Sequence, residues 1–179
     1  MRPCTAPSGV KLTAPDSERL AGLIENRNKA IAAVGHQTDQ NVARQTSRLF
    51  EPGLLPLKDV VSGKYQCRVI KMGADLSVVY GYFSCEITEN GQGNDRDWTI
   101  IKTGGSQRFS GVLKPGGDGL VYIGAGFVAG EKAPKYGDST ETDEVGCLYR
   151  AADAPRHYVL ELPRPQFEFH DVVELVPVK

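Results

Sequence analysis

The hydrophobic and polar positions of this chain follow two different periods in its two parts. Between residues 13 and 34, apolar side chains recur at helical spacing, and this stripe predicts an amphipathic helix that ends at Gly35. A second, shorter helix is predicted over residues 39–50, because Pro52 disfavours helical backbone in the residue before it. The region 13–51 is therefore expected to be helical.

After residue 63 the period changes to two, which is typical of strands that bury one face, because successive side chains of a strand point to opposite sides. Gly, Pro, Asn and Asp, the residues that favour turns, separate the short apolar runs. The predicted strands are 64–72, 80–89, 97–103, 107–114, 119–128, 144–151, 156–162 and 170–177. Eight short strands in succession predict an antiparallel meander over residues 64–178.

The first two strands predict a hairpin that carries one cysteine on each arm. The register that keeps all apolar residues on one face pairs Cys67 with Cys85 and centres the turn near Leu76. The other opposing pairs in that register are Val69 with Phe83 and Tyr65 with Ile87. A disulfide between Cys67 and Cys85 would stabilise the fold by about 3 kcal/mol. Two buried thiols are the alternative, and a bridge from either cysteine to Cys147 remains open.

A sheet of about eight antiparallel strands tends to curl, and closing it removes the unpaired edges that invite aggregation. Glycines inside the predicted strands allow the sharp bends of a small barrel. They are Gly111, Gly124, Gly126 and Gly146. The expected fold class is α+β and mainly β, with helices followed by a small up-and-down, lipocalin-like barrel or a strongly curved meander. A two-sheet sandwich is the alternative, since periodicity does not separate the two.

Length, composition and charge narrow the function classes. A chain of 179 residues is long enough for one sizeable core, so we expect a disordered segment over 1–12 and a single domain over 13–179. The net charge is −1 and the two signs are intermixed, which argues against nucleic acid or an anionic membrane as partner. No apolar run of about 18 residues predicts a transmembrane segment. Neither metal-ligand spacing nor a nucleophile or phosphate-loop motif is found, so we predict no metal, no cofactor and no catalytic residue.

A small ligand site is predicted where polar residues follow a pair of glycines. Ser106, Gln107 and Arg108 stand there, and an arginine is suited to bidentate binding of a carboxylate or phosphate. Trp98, on the preceding strand, is assigned to the same site, although filling the core is the first interpretation of any aromatic residue. An eight-stranded barrel is just wide enough to be filled by side chains or to hold one small ligand.

Several segments, read in order, resemble DUF4893, an uncharacterised bacterial family of domains of unknown function. The most specific are Y-x-C-R-x-I-K at 65–71 and T-G-G-S-Q-R at 103–108, the latter with one glycine more than the family pattern, and the resemblance covers about residues 14–178. Because family members typically carry export signals, it implies a periplasmic or lipid-anchored protein and favours an oxidised Cys67–Cys85 pair. Under this interpretation the chain begins after a removed signal, and Cys4 is a lipid acceptor or an unpaired remnant. The family carries no activity or catalytic residue that could be transferred.

Three functions are compatible with these observations. The first is a non-enzymatic exported domain that binds a small ligand in a barrel mouth or an envelope protein. The second is a hydrolase or isomerase with its site at one barrel end, in which Arg108 or His170 lies within hydrogen-bond reach of a carboxylate. The third is a protein-binding or inhibitory role of the loop 131–143. We expect His36, His157 and His170 to have surface or structural roles.

Overall fold

The structure is a computed structural model that describes residues 2–37, 39–164 and 169–178. Three helices come first: α1 (Ala14–Ala21), α2 (Leu23–Gly35) and α3 (Gln40–Phe50). The strands are β1 (Leu54–Leu55), β2 (Gly63–Gly73), β3 (Val78–Val79), β4 (Phe83–Asn90), β5 (Asp97–Lys102), β6 (Gln107–Gly116), β7 (Gly119–Val128), β8 (Asp143–Ala151), β9 (Tyr158–Arg164) and β10 (Phe169–Pro177).

The long strands close into an antiparallel up-and-down barrel. The eight members follow the order β2, β4, β5, β6, β7, β8, β9 and β10, and β10 pairs back with β2. The two-residue strands β1 and β3 pair with β8 and β2. The predicted α+β, mainly β fold class is confirmed, and the barrel is found rather than the sandwich. The least accurate strand end is the start of β4, which was predicted at residue 80 and lies at Phe83.

The first predicted helix is interrupted at Gly22. α1 ends at Ala21 and α2 begins at Leu23, because Gly22 adopts φ −84° and ψ 5°, which is outside the helical range. A glycine inside a helix costs about 1 kcal/mol relative to alanine, so a break is favoured there even though the apolar stripe continues across it. Thr13 caps α1 by accepting a hydrogen bond from the backbone N–H of Asp16.

Inward-facing side chains fill the barrel from one end to its middle. This inner core consists of Leu57, Val60, Tyr65, Cys67, Cys85, Ile87, Trp98, Ile100, Phe109, Leu113, Leu120, Tyr122, Leu148, Tyr158, Leu160, Leu162, Val173 and Leu175. Leu57 and Val60 belong to the connector between α3 and β2, which closes the end where β2 begins. The backbone N–H of Leu57 donates to the carbonyl of Asp118 at 2.9 Å and that of Val61 to the Tyr158 hydroxyl at 3.3 Å. One end of the barrel is therefore sealed.

A second core lies between the outer face of the barrel and the helices. Its helical side includes Leu20, Leu23, Val34, Val42 and Leu49, and its barrel side includes Ile70, Met72, Val121, Val145, Cys147, Tyr149, Val159 and Val172. Strand residues of opposite parity therefore belong to different cores, which explains why β8, β9 and β10 are buried along almost their entire length.

The register between β2 and β4 differs by two residues from the predicted one. Tyr65 pairs with Cys85 and Cys67 with Phe83, whereas the predicted register placed Cys67 opposite Cys85. A slip of two residues leaves every side chain on its original face, so the period of two does not discriminate between these registers. Cys67 and Cys85 still share the inner face as diagonal neighbours with Cα atoms 5.8 Å apart, and they form a disulfide.

A second disulfide joins Cys4 to Cys147 on β8, with Cα atoms 5.8 Å apart. The alternative bridges from Cys147 to Cys67 or Cys85 are not formed, because Cys147 faces the outer core and the other two face inward. Cys4 is buried, and its backbone N–H donates to the Tyr149 hydroxyl at 3.3 Å. The sulfur of Cys4 is thus bonded to protein, which differs from the lipid acceptor or unpaired remnant expected from the sequence.

The amino-terminal segment lies on the turn between β6 and β7. A Cβ atom at Gly117 would clash with the carbonyl oxygen of Pro3, and one at Gly116 with that of Thr5. Gly117 also has φ +65°, a conformation that favours glycine. Pro3, Cys4 and Thr5 therefore lie against this turn, and the disorder predicted over 1–12 stays a prediction.

Two buried glutamates on the outer face of the barrel connect it to the helices. Glu161 on β9 accepts hydrogen bonds from Arg27 of α2, with 2.7 Å between Arg27 Nε and Glu161 Oε1, and lies 2.8 Å from His170 Nε2. The Nδ1 atom of His170 lies 3.0 Å from the amide nitrogen of Asn26. His170 is fully buried in this network beneath α2, which is a structural role.

Glu174 on β10 is the centre of the second network. It accepts hydrogen bonds from Arg68 of the paired strand β2 at 2.6 Å and from Arg48 of α3, and His157 Nε2 lies 2.8 Å from its carboxylate. Burial alone would raise the pKa of Glu174, but the hydrogen bonds from His157, Arg48 and Arg68 outweigh it and lower that pKa to about 2. Burial also opposes the charge of His157, yet its bonds to Glu174 and Asp153 raise its pKa above the ordinary value.

The two disulfides are expected to stabilise the fold unequally. A crosslink that spans 143 residues restricts the unfolded chain more than one that spans 18. We expect Cys4→Ala/Cys147→Ala to lower the free energy of unfolding by about 5 kcal/mol and Cys67→Ala/Cys85→Ala by about 3 kcal/mol. Equilibrium urea denaturation of both double variants checks this, and equal losses would contradict the chain-entropy explanation.

The Glu174 network is expected to make stability depend on pH from two sides. The contribution of His157, whose folded-state pKa is raised, is complete below the ordinary histidine pKa of about 6.5 and is lost as the pH rises through the raised value. The contribution of Glu174 is present above the ordinary glutamate pKa of 4.5 and is lost as the pH falls towards about 2.

His157→Gln should therefore remove part of the decline in unfolding free energy as the pH rises above about 6.5, measured by urea denaturation at a series of pH values. His36→Gln is the matched control, because His36 is an exposed residue at the end of α2. The same pH profile in wild type and His157→Gln would rule out this linkage.

Candidate functional site

The barrel is open at the end opposite the sealed one. A cavity of about 700 Å³ lies where β5, β7 and β9 end and where β6, β8 and β10 begin. Its apolar lining consists of Val69, Phe109, Phe127, Val128, Leu162, Phe169 and Val173. Its ionisable lining consists of Lys71, Lys102, Arg108, Glu131, Lys132, Glu141, Glu144, Arg164 and Asp171. We call this space the mouth cavity.

The floor of the mouth cavity is supported by Tyr122, which is fully buried beneath it. Its ring lies so close to Gly111 and Gly124 that a Cβ atom at either glycine would clash with it. The Tyr122 hydroxyl donates to the carbonyl of Ser110 at 3.2 Å and lies 3.4 Å from Glu144 Oε2. The two glycines at these inward positions therefore make room for the side chain of Tyr122. They do not account for the empty mouth cavity above it.

One wall of the cavity carries two carboxylates that share an arginine. Arg164 on β9 donates to Glu144 on β8, and its Nε lies 3.0 Å from Asp171 Oδ2 on β10. The second contact is ionic rather than a well-aligned hydrogen bond, since Arg164 Nε makes no hydrogen bond among the described residues. Burial raises the pKa of both carboxyls more than Arg164 lowers it.

The opposite wall carries two cations. Lys102, at the end of β5, is 4% exposed, and its ammonium donates to the carbonyls of Gly104 at 2.8 Å and Gln107 at 2.6 Å. Arg108, at the start of β6, donates from Nε to the carbonyl of Gly105 at 3.0 Å. Burial lowers the pKa of Lys102, and the nearby charge of Arg108 lowers it further. Within the described part of the chain, neither cation forms an ion pair with a carboxylate.

A smaller cavity of about 170 Å³ adjoins the mouth cavity beside the turn between β5 and β6. It shares Val69, Lys102 and Gln107 with the mouth cavity, and Tyr80, Phe83, Gly105 and Ser106 complete its lining. The ring of Phe83 lies 4.6 Å from the ammonium of Lys102, a cation–π distance. Lys102 therefore borders both spaces and is partly covered by an aromatic ring.

A third cavity, of about 450 Å³, lies on the helices and is lined by Pro15, Glu18, Arg19, Gly22, Glu25, Asn26, Lys29 and Thr140. Much of this lining is exposed, and the ion pair it contains, Lys29 with Glu25, lies at the surface. The cavity contains no inward-facing barrel group. The mouth cavity is the better candidate site because three of its charged residues, Lys102, Glu144 and Asp171, are buried and border one space.

The structure brings three of the four predicted site residues to the mouth. Gln107 and Arg108 line the mouth cavity, and Ser106 lines the smaller one beside it. Trp98 lines neither, because it lies fully buried in the inner core towards the sealed end. Its indole Nε1 makes no hydrogen bond to the residues that the structure describes.

Sequence reasoning missed the buried charges of the two walls, although a signal for them exists. Lys102 has the strand parity of Trp98 and Ile100, so it must face inward. The same argument places Glu144, Arg164 and Asp171 inside, from the parity of their own strands. A charged residue at an inward position near a strand end is thus the pattern that predicts this mouth.

The arrangement expected for a hydrolase or isomerase is not assembled in the mouth cavity by the described residues. His170 does lie near a carboxylate, but the partner is Glu161 and both are buried beneath α2, outside the cavity. Arg108 lines the cavity but bonds a backbone carbonyl. The loop 131–143 borders the mouth, with Glu131, Lys132, Pro134, Ser139, Glu141 and Thr142 in its lining.

The residues that the structure describes contain neither a candidate metal cluster nor a helix that could span a membrane. No cluster of three or more His, Cys, Asp or Glu side chains within them could hold a metal ion. None of their helices combines the length and the apolar character needed to cross a bilayer.

The fold and the mouth define a class of protein: a disulfide-bonded, eight-stranded barrel with helices on its outer face, one sealed end and one open end. The chain belongs to the family described as Domain of unknown function (DUF4893), whose model matches residues 10–175. The resemblance predicted from the segments 65–71 and 103–108 is thereby confirmed. Neither the curated proteins nor the solved structures contain a significant match to the chain.

Arg164→Met is expected to lower the free energy of unfolding by about 3 kcal/mol at pH 7, because it leaves Glu144 and Asp171 buried without their shared cation. The loss should shrink at about pH 4, because a carboxyl with a raised pKa is protonated to a greater extent in the folded protein than its ordinary pKa would give. Urea denaturation at both pH values measures it. Arg44→Met, on the exposed face of α3, is the control and should change stability by less than about 0.5 kcal/mol. A loss independent of pH would contradict the pairing.

Proposed function

We propose that this protein is a non-enzymatic binding protein, exported to the periplasm, that holds a small organic ligand in the mouth of its barrel. The observation that carries the proposal is the uneven filling of the interior. Side chains pack the barrel from the sealed end to the middle, whereas about 700 Å³ at the open end is lined but not filled. An eight-stranded barrel has just the width at which either outcome occurs, so the empty space is a property of this sequence.

The chemistry of the lining supports a ligand rather than water alone. Phe109, Leu162 and Val173 present apolar surface at the floor, and each is at most 5% exposed. On the walls, the charged groups of Lys102, Arg108 and Arg164 are held by hydrogen bonds or ion pairs to other residues. Cavities of about 300–1,000 Å³ with apolar walls and a small number of convergent polar groups are typical of small-molecule sites.

Export is supported by the cysteine chemistry. All four cysteines form disulfides, and such bonds persist in oxidising compartments. Both bonds lie in buried parts of the fold, where they crosslink the barrel to itself and to the amino-terminal segment. Since the sulfur of Cys4 is committed to Cys147, the proposed form of the protein carries no lipid on that residue.

Binding of the neutral fluorescent probe N-phenyl-1-naphthylamine tests the ligand site. We expect a saturable rise in fluorescence with wild-type protein at a stoichiometry near one. Val69→Trp, which places a large ring at the border of both cavities, should weaken binding by about tenfold or more, because it fills the space that the probe requires.

Val61→Trp is the matched control, because Val61 is 49% exposed and lies at the sealed end. It should leave probe binding unchanged. No saturable binding by wild type, or equal binding by wild type and Val69→Trp, would overturn the proposed function.

A further inference from the structure

Resting on that proposed function, we propose that the ligand is an amphiphilic organic carboxylate. Its head group would bind between Lys102 and Arg108, and its apolar chain would lie along the floor of the mouth cavity. Four features of the mouth support this inference: the charge of Lys102, the position of Arg108, the opposite wall and the apolar surface beside the cations.

The first step is the unbalanced charge of Lys102. A buried ammonium is costly unless it is paired, and this one is 4% exposed with no ion pair to any carboxylate that the structure describes. Two carbonyl groups, of Gly104 and Gln107, accept two of its three N–H donors and hold the ammonium in place. One donor and the whole positive charge remain for a partner that borders the cavity.

The second step is the position of Arg108 on the neighbouring strand. Its Nε bond to the carbonyl of Gly105 fixes the guanidinium at the rim and leaves the terminal nitrogens as donors. The lowered pKa of Lys102 has Arg108 among its causes, after burial, so the two positive charges act on each other. A carboxylate placed between them would relieve this repulsion and can accept hydrogen bonds from both.

The third step is the opposite wall, which fixes the orientation of the ligand. Lys102 is on β5 and Arg164 on β9, four strands apart in a ring of eight and hence on opposite sides. Arg164 is already paired with Glu144 and Asp171, so its positive charge is not free to bind an anionic ligand. The two carboxyl groups beside it would repel such a ligand. An anionic head group is therefore favoured at Lys102 over the place where Glu144, Arg164 and Asp171 meet.

The fourth step is the apolar surface beside the cationic wall. Phe109 neighbours Arg108 on β6 but points inward, and Val69 borders both cavities next to Lys102. The ring of Phe83 lies 4.6 Å from the ammonium of Lys102. A head group bound here would be shielded from water, which strengthens its ionic contacts, and a chain attached to it would contact the floor.

Decanoate and decanol are the matched probes, because they share a ten-carbon length and differ in the charge of one end. Displacement of N-phenyl-1-naphthylamine measures the affinity of each. We expect wild type to bind decanoate about tenfold or more tightly than decanol, since hydrogen bonds to a charged group are about twice as strong as neutral ones.

Lys102→Met and Arg108→Gln should each weaken decanoate binding by about tenfold and change decanol binding by less than about twofold. Lys64→Gln, which removes an exposed charge near the sealed end, should change neither. Because Lys102 also holds the turn between β5 and β6, circular dichroism and thermal unfolding must show that its variant is folded, and otherwise Arg108→Gln decides.

The outcomes separate the two proposals. Equal affinity for decanoate and decanol, tighter binding of decylamine than of decanoate, or an unchanged decanoate affinity in Arg108→Gln would each overturn the carboxylate inference and leave the binding site standing. Failure of N-phenyl-1-naphthylamine itself to bind would overturn the proposed function and, with it, this inference.

Discussion

Pairing of β10 with β2 closes the sheet, and the remaining architecture depends on that closure. The ladder runs from Phe169 opposite Gly73 to Pro177 opposite Tyr65, so the last strand is joined to the first long one along nearly its whole length. Once the ring is closed, the parity of a strand residue decides whether its side chain enters the barrel or faces outward. The inner core and the outer core beneath the helices both follow from this one division, and it also brings Lys102, Glu144, Arg164 and Asp171 into the mouth cavity.

The predictable parts of the fold are those in which apolar residues repeat at a short, regular spacing along the chain. Eight strands and the helical region were found because burial on one face leaves a pattern within a few residues. Three features of the fold were not predicted, because each depends on information that the spacing of apolar residues does not contain. The break at Gly22 depends on backbone conformation, the pairing of Cys67 on a choice between two registers that differ by two residues and keep the same face, and the Cys4–Cys147 bond on contact across 143 residues.

The residues of the candidate site could likewise be predicted only in part from the sequence pattern. Parity predicts the face of a residue but not its depth along the barrel axis. Trp98 and Lys102 share a face and a strand, yet one is packed near the sealed end and the other lines the mouth. Ser106 and Arg108 were found because the glycine pair before them marks a turn, and in an up-and-down barrel turns lie at the ends.

The distribution of buried charge argues that the mouth is shaped for something other than stability. The buried glutamates of the described chain, Glu144, Glu161 and Glu174, are each paired with at least one arginine. Such pairs offset their own cost of burial and position the helices or the mouth wall. Lys102 is buried as deeply but is held by carbonyl oxygens alone, next to a second cation, Arg108. A sealed apolar barrel would be more stable without that arrangement, whereas an anion entering the mouth would complete it.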